Sequence, residues 1–195
     1  MIYRWLKKIV LIIIILYLFS ALINSAWFLK FSYPYPHREI ITEAGGKYGV
    51  DPYLAAAIMR VESKFDARAV SRVGARGLMQ IMPETGRWIA QQMKITEYTD
   101  ELLFVPEFNL PMGIWYIAYL KDAFQNDTVK VLAAYNAGEH KVKGWLSAGV
   151  WTGLKQDIAQ IPYAETRRYI DKVLFDHHIY KRVYIGEEDD ERKIQ

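Results

Sequence analysis

The hydrophobic positions of this chain follow two different patterns. Residues 9–29 contain no charged side chain, and Ile9 to Phe19 is apolar almost without interruption. Because about 20 such residues match the hydrocarbon thickness of a bilayer, the run predicts an N-terminal transmembrane helix within residues 1–30. From residue 37 onward, apolar positions recur three and four residues apart among polar ones, which is typical of helices that bury one face.

The apolar run has two interpretations, a retained anchor and a cleaved signal peptide. The apolar core of a signal peptide spans about 7–15 residues. This run is longer and continues into Trp27 and Phe28, aromatic residues that suit a membrane interface. Asn24 and Ala26 form a weak cleavage motif. The length favours retention and leaves removal open.

The charges that flank the run predict its orientation. Arg4, Lys7 and Lys8 precede it, whereas only Lys30 and Arg38 follow closely. The positive-inside rule then keeps the N-terminus in the cytoplasm and places the rest of the chain outside, as a single-pass membrane protein.

Three segments are expected after the anchor. Residues 31–36 (FSYPYP) predict a short extended linker, because two prolines resist helix formation. The folded domain is expected over residues 37–184, and an acidic tail containing EEDDE over residues 185–195.

The domain is predicted to be all-α. No segment shows sustained period-two alternation, so no strand is expected. The glycine at 138 is expected to end one helix, and Asp51 followed by Pro52 to begin another. The predicted helices are Arg38 to Lys47 closing near Gly49, Pro52 to about Glu62, Pro83 to Met93, Asn109 to Phe124, Val129 to Ala137 with Thr128 as the cap, and Tyr163 to Tyr184.

Composition narrows the classes of function. The chain has no cysteine, which excludes disulfides, zinc–thiolate sites and a thiol nucleophile. Its net charge is +3 and its basic residues are scattered, so no nucleic-acid partner is expected. The sequence contains no GxGxxG, P-loop or HExxH motif and no metal-ligand spacing around His177 and His178, so no cofactor and no metal are predicted.

Glu62 is the candidate for chemistry, because it ends an apolar helical stretch and precedes a glycine-punctuated loop. Cleavage of a glycosidic bond needs a proton delivered to the leaving oxygen. A glutamate with an ordinary pKa of about 4.3 is ionised at neutral pH, and burial against apolar groups raises that pKa. A lone glutamate at a helix end is more often a solvated surface residue, so Glu62 by itself does not establish catalysis.

Three sequence blocks resemble the lytic transglycosylase family, in the family's order. The resemblance covers about Arg38 to Tyr184. It departs from the usual family pattern at Asp66-Ala67, where the family has Asn-Pro. The first block contains Glu62-Ser63 with Phe65, Ala69-Val70-Ser71, GARGLMQIMP from Gly74 to Pro83, and Thr85. The second block is Ala134-Tyr135-Asn136-Ala137-Gly138. The third block is IPYAETRRY from Ile161 to Tyr169.

The resemblance implies a lysozyme-like helical domain that acts on the glycan strands of peptidoglycan. Glu62 is then the sole acid/base, and the bond between N-acetylmuramic acid and N-acetylglucosamine is cleaved without water to leave a 1,6-anhydro end. The acetamido group of the sugar replaces a second carboxylate.

The resemblance also assigns the residues around Glu62. Ser71 and Gln80 are expected to hydrogen-bond the sugar, and Met82 to form an apolar wall. Tyr135 and Asn136 are expected to face the same groove, with Tyr135 the better candidate for contacting Glu62. Glu165 is expected to be the other acidic residue at the cleft. Packing of Tyr135, and a favourable helix-dipole position for Glu165, are the structural alternatives.

Two other functions stay open. A muramidase of the lysozyme type hydrolyses the same bond, and an inverting one needs a second carboxylate about 6.5–9.5 Å away. Asp66, Glu84, Asp100 and Glu165 are candidates for it. The chain is alternatively an inactive, membrane-tethered module that binds peptidoglycan. Partners among the cell-wall machinery are left unspecified.

Overall fold

The described part of the chain is helical, as the sequence pattern predicts. The computed structural model describes the backbone of residues 2–194 and the side chains of residues 3–25 and 27–185. Within these residues there is no strand, only isolated bridges that join Val70 to Arg76 and Arg76 to Ile81. The helices are α1 (Ile2–Ile23), α2 (Ala26–Ser32), α3 (Arg38–Tyr48), α4 (Pro52–Ser63), α5 (Pro83–Gln92), α6 (Pro106–Ala123), α7 (Thr128–Ala137), α8 (Glu139–Ser147) and α9 (Ala164–Ile194), with 3-10 helices at Asp100–Phe104 and Lys155–Gln160.

The chain forms two compact units, and the first comprises Met1–Tyr35 with Lys181–Gln195. Its segment Tyr3–Ile23 is long and apolar enough to cross a membrane by length and composition. The uncharged run does not continue as one helix, because the Ser25 hydroxyl accepts a hydrogen bond from the Phe28 amide (3.3 Å) and starts α2.

The segment predicted as an extended linker, residues 31–36, differs from that prediction at its start. Residues 31 and 32 belong to α2, and the chain leaves helical geometry at Tyr33. The Tyr33 carbonyl accepts a hydrogen bond from the Tyr184 hydroxyl (2.8 Å), within the same unit. The side chains of the predicted acidic tail, from residue 186 onward, lie outside the described residues.

The second unit, Pro36–Tyr180, contains α3 to α8 and the first part of α9. Gly49 ends α3 in the left-handed conformation (φ 66°), where glycine has no Cβ penalty. Asp51 caps α4 by accepting a hydrogen bond from the Tyr53 amide (2.9 Å). Both caps agree with the sequence prediction.

Several helix ends differ from the predicted ones. Helix α6 begins three residues earlier, because Pro106 suits the first helical position. The cap of α7 is Asp127, not Thr128: its carboxylate accepts from the amides of Val129 (3.0 Å) and Lys130 (3.1 Å). Helix α8 and both 3-10 helices are absent from the prediction.

Helix α4 is the buried centre of the second unit and carries Glu62 at its end. Ala56 through Met59 are fully buried. Two polar contacts join α4 to α9: Arg60 Nη1 lies 2.8 Å from Asp176 Oδ2, and His177 Nε2 lies 2.7 Å from Asp51 Oδ2. Because these contacts act at both ends of α4, they hold Glu62 at a defined place against α9.

Candidate active site

The backbone turns sharply immediately after Glu62. The Ser63 hydroxyl donates to the Met59 carbonyl (3.1 Å) and accepts from the Phe65 amide (3.1 Å), which closes the last turn of α4. Lys64 and Phe65 then adopt positive φ values of 52° and 70°, which are uncommon for residues with a side chain. The Glu-Ser pair therefore places the carboxylate and the helix end together.

The Glu62 carboxyl has an acid strength suited to proton transfer at neutral pH. The side chain is half-buried, and its carboxyl lies deep enough for loss of solvation to dominate. Burial raises the pKa of Glu62 to about 7, a hydrogen-bonding interaction with Tyr169 lowers it, and the negative charge of Glu165 raises it further. A substantial fraction of Glu62 is thus protonated at pH 7.

Two tyrosine hydroxyls interact electrostatically with Glu62, and Tyr169 is the one that lowers its pKa. The Tyr135 hydroxyl donates to the Met79 carbonyl (2.8 Å) rather than to Glu62. The buried Tyr169 hydroxyl interacts with Glu62, but it makes no hydrogen bond of ordinary geometry with any described residue. Burial, followed by the charge of Glu62, raises the pKa of both phenols well above its ordinary value. Both hydroxyls therefore stay protonated and remain donors.

Ser71 and Gln80 hold the loop that follows Glu62. The Ser71 hydroxyl accepts from the Ala75 amide (3.0 Å). Gln80 Nε2 donates to the carbonyls of Gly77 (2.8 Å) and Ala69 (3.2 Å). Among the described residues, the Ser71 hydroxyl proton and Gln80 Oε1 have no partner and remain available to a ligand.

Asn109 fixes the same loop from a distance, and sequence reasoning assigned it no role in the site. Its Oδ1 accepts from the Met79 amide (2.8 Å), and its Nδ2 donates to the carbonyls of Leu103 (2.7 Å) and Arg76 (3.1 Å). The approach is so close that a Cβ at Gly77 would lie 1.9 Å from the Leu103 carbonyl oxygen. No local pattern reveals this contact, since it joins segments about 30 residues apart.

The other predicted site residues lie on three separate elements. Met82 precedes α5 and leaves 39% of its surface exposed, as an apolar wall would. Asn136 Oδ1 accepts from the buried Thr166 hydroxyl (2.8 Å), so at least this atom of Asn136 has a structural role. Glu165 is exposed in the first turn of α9, and its charge reaches Glu62.

An aromatic cavity of about 520 Å³ lies beside these residues. The Tyr116 ring lines the cavity and lies 5.6 Å from the Tyr135 ring. Trp88 and Tyr119 meet edge to face at 4.9 Å in its wall. The full lining is Glu84, Thr85, Trp88, Tyr116, Tyr119, Ala137, Gly138, Glu139, His140 and Lys141. Such a mixture of ring faces and polar groups suits a carbohydrate ligand.

Of the four carboxylates considered for a muramidase, Glu165 is the one whose charge acts on Glu62. Asp100 pairs with Arg87 (2.7 Å), and Asp66 accepts from the Arg68 amide (2.8 Å).

Within the described residues, no group of three or more histidine, aspartate or glutamate side chains has a metal-binding arrangement.

Comparison with known proteins shows that this chain is similar to lytic murein transglycosylases. The chain is 34% identical over 164 residues to the soluble lytic murein transglycosylase of Salmonella typhimurium, which covers 83% of this chain and 25% of that protein. It is 35% identical over 171 residues to the membrane-bound lytic murein transglycosylase C of Edwardsiella ictaluri, which covers 75% of this chain and 47% of that protein.

A solved structure has the same fold. The lytic transglycosylase Slt of Pseudomonas aeruginosa, determined as an inactive glutamate-to-glutamine mutant, matches with a TM-score of 0.71 and 32% identity over 80% of this chain and 26% of that one. The chain thus spans about a quarter of the soluble relatives and about half of the membrane-bound one. The Transglycosylase SLT domain matches residues 39–157, more than half of the chain. This chain belongs to the Transglycosylase SLT domain family.

Proposed function

We propose that this protein is a peptidoglycan lytic transglycosylase in which Glu62 is the acid and the base. The observation that carries the proposal is a half-buried glutamate whose pKa is raised to about 7 and whose charge acts on the phenols of Tyr135 and Tyr169. The family membership supports the class of reaction, and the inactive glutamine mutant of the Pseudomonas aeruginosa relative supports a requirement for a glutamate.

The reaction proceeds by transfer of one proton in each direction. Protonated Glu62 donates its proton to the oxygen between N-acetylmuramic acid and N-acetylglucosamine as the bond from C1 to that oxygen breaks. The acetamido oxygen of the muramoyl sugar stabilises C1. The Glu62 carboxylate then accepts the proton of the C6 hydroxyl while O6 bonds to C1. Glu62 regains its acid form, no water is consumed, and the product ends in a 1,6-anhydro ring.

A pKa near the working pH suits both halves of this cycle, because one group must give a proton and then take one. Tyr169 donates to the carboxylate form, and the raised pKa of its phenol keeps that donor in place. Ser71, Gln80 and Asn136 contribute polar atoms to the sugar, and Met82 contributes an apolar wall. The glycan strand continues into the aromatic cavity through Tyr116.

The proposed membrane association follows from the first unit. The Tyr3–Ile23 helix carries its basic residues Arg4, Lys7 and Lys8 in its first two turns, which supports a single-pass anchor with the catalytic unit outside the cytoplasm. The membrane-bound relative supports association with a membrane. Protease added to intact spheroplasts should degrade the catalytic unit; protection until lysis would contradict this topology.

Product analysis tests the reaction. The full chain in a non-ionic detergent, its Glu62→Gln variant and a matched Glu43→Gln control at an exposed position of α3 are incubated with purified peptidoglycan. The masses of the released muropeptides are measured by mass spectrometry. We expect products lighter by one water at the muramoyl end from the parent and the Glu43 control, and none from Glu62→Gln.

The same experiment decides between the alternatives. Reducing muramoyl ends would identify a muramidase, with Glu165 as the first candidate for the carboxylate that activates water, because its charge already reaches Glu62. Binding without cleavage in the parent and in both variants would leave a peptidoglycan-binding module and refute the enzyme.

A further inference from the structure

A second cavity lies in the same unit, apart from the aromatic one. It measures about 450 Å³ and lies between the 3-10 helix Lys155–Gln160 and the first two turns of α9. Ile158 forms an apolar part of its lining. We call it the basic cavity, because its charged lining residues are Lys155, Arg167, Arg168 and Asp171.

The charges of the basic cavity do not cancel one another. Arg167 is held by a hydrogen bond from its guanidinium to the Ile161 carbonyl. Among the described residues, Lys155 and Arg168 make no ion pair, and Asp171 makes none with either of them. Three cations therefore face one carboxylate. The N-terminus of α9, at Ala164, adds the positive end of a helix dipole.

The 3-10 segment that supplies Lys155 has polar contacts of its own. The Thr152 hydroxyl donates to Asp157 Oδ2 (2.7 Å), and the Thr152 amide donates to Gln160 Oε1 (3.1 Å). The Leu154 amide donates to the Thr152 hydroxyl (3.1 Å). These bonds order the backbone on both sides of Lys155, so its ammonium group projects from a defined loop rather than from a frayed one.

The basic cavity and the candidate active site lie on different faces of the first turns of α9. Tyr169 and Glu165 act on Glu62 and share one face of the helix. Arg168 is turned by about 100° from Tyr169, onto the face that lines the basic cavity. A helix is about 10–12 Å wide including its side chains. A peptide of four or five residues extends about 3.3–3.6 Å per residue, so a peptide attached to the muramoyl sugar at Glu62 spans the distance around α9.

We propose that the basic cavity binds a free carboxylate of the peptide stem of peptidoglycan. The inference rests on the proposed function, because it assumes that the muramoyl sugar carrying the stem lies at Glu62. The stem leaves that sugar through its lactyl group and carries free carboxylates, which charge-assisted hydrogen bonds from Arg168, Arg167 and Lys155 match. The cavity then favours glycan strands that still carry their peptides.

Binding to a muropeptide tests the proposal without requiring turnover. The full chain carrying Glu62→Gln is titrated with a fluorescently labelled disaccharide–tetrapeptide, and with the same probe whose carboxylates have been converted to methylamides. We expect the unmodified probe to bind roughly three- to tenfold more tightly, an advantage that shrinks as salt is added. Adding Lys155→Gln and Arg168→Gln should bring the ratio of the two affinities close to one.

A matched control removes the same charges elsewhere. Lys94→Gln with Arg182→Gln, two exposed residues outside the basic cavity, should keep the preference for the unmodified probe. An unchanged ratio in the Lys155/Arg168 variant, or an equal loss for both probes, would overturn the proposal. So would an unchanged ratio together with a loss of binding to phosphatidylglycerol vesicles, which would assign the cavity to a lipid headgroup. If the parent binds but never cleaves peptidoglycan, the proposed function fails, and the affinity ratio still decides this inference.

Discussion

Glu62 and Glu139 are two half-buried glutamates of the same unit, and tyrosine hydroxyls act on both, yet their pKa values move in opposite directions. Burial raises the pKa of Glu62 to about 7, and the interaction with Tyr169 only reduces that rise. Burial also raises the pKa of Glu139, but hydrogen bonds from Lys143 and Tyr119 (3.0 Å) outweigh it and leave the pKa lowered. A tyrosine alone therefore does not determine whether a carboxyl is an acid or an anion.

The surroundings of the two carboxyls differ in charge and in helix polarity. Glu139 is the first residue of α8, where the helix dipole favours an anion, and Lys143 lies one turn away. Glu62 lies in the last turn of α4, where the dipole disfavours an anion, and the charge that acts on it is the negative one of Glu165. Glu62 keeps its proton because burial raises its pKa, and the described groups that act on it include no cation that would offset this rise.

The largest effect is expected from removing each carboxyl in turn. Glu62→Gln should lower kcat for peptidoglycan cleavage by about 10³-fold, because general acid–base catalysis contributes about 10²–10⁴-fold. Glu139→Gln should cost no more than a few-fold, and should act on KM, since Glu139 lines the aromatic cavity without reaching the bond that breaks. Release of soluble muropeptides measures both constants. Equal losses in kcat would break the comparison.

The helix ends were predictable where the residues at an end are of the types that cap or terminate helices. Asp51 with Pro52, and the glycines at 49 and 138, mark ends that the structure retains. Helix α8 was missed because EHKVKGWLS buries only Val142 and contains a glycine, so no apolar stripe reveals it. The cap of α7 was assigned one residue late, because Asp127 and Thr128 are both capping residue types.

The site was predictable only as far as its motif is local. Glu62 and the loop from Gly74 to Pro83 lie in short continuous sequence motifs, and the resemblance of these motifs to a family identifies both as parts of one site. Asn109 carries three hydrogen bonds to that loop and its neighbour, but it belongs to no such block. Tyr169 ends the third block, and only the packing of α9 against α4 shows that its hydroxyl acts on Glu62.

The next effect in size is on stability as a function of pH. The pKa of Glu62 is about 7 in the folded chain and 4.5 in its ordinary state, so folding takes up a proton between these values. Stability is therefore lost as the pH rises from about 4.5 through 7, and the full penalty of about 3 kcal/mol is present above 7. Glu62→Gln should be more stable than the parent at pH 8 and nearly equal to it at pH 4.

Glu139 should show the opposite sign. Its pKa is lowered on folding, so its contribution to stability is present above its ordinary pKa and is lost as the pH falls through the folded value. Glu139→Gln should destabilise the chain at neutral pH and should matter less in acid. Thermal unfolding of both variants from about pH 2 to 8 measures the pair, because the transition of Glu139 lies below its ordinary pKa. Parallel pH profiles would show that the two carboxyls do not differ as described.

A smaller effect is expected from removing the charge that keeps Glu62 protonated. Glu165→Gln deletes the negative charge that raises the pKa of Glu62, so that pKa should fall. The alkaline limb of the profile of kcat/KM against pH should then move to lower pH, and activity at pH 7 should drop with it. Glu43→Gln, on α3, is the control that should leave the profile in place. If Glu165→Gln instead moves the alkaline limb of the profile to higher pH, Glu165 does not raise the pKa of Glu62 through its charge.

The smallest effect is expected when Glu139 loses its cation and so becomes more like Glu62. Lys143→Gln removes the hydrogen bond and the charge that lower the pKa of Glu139, so burial should dominate and that pKa should rise. Titration of ¹³C-labelled glutamate carboxyls by NMR follows Glu139 and Glu62 in one sample. Glu62 should titrate as before, because Lys143 is not among the groups that act on it. If Glu139 stays lowered without Lys143, the Tyr119 hydroxyl and the dipole of α8 are sufficient, and the difference between the two glutamates lies in helix polarity rather than in a neighbouring cation.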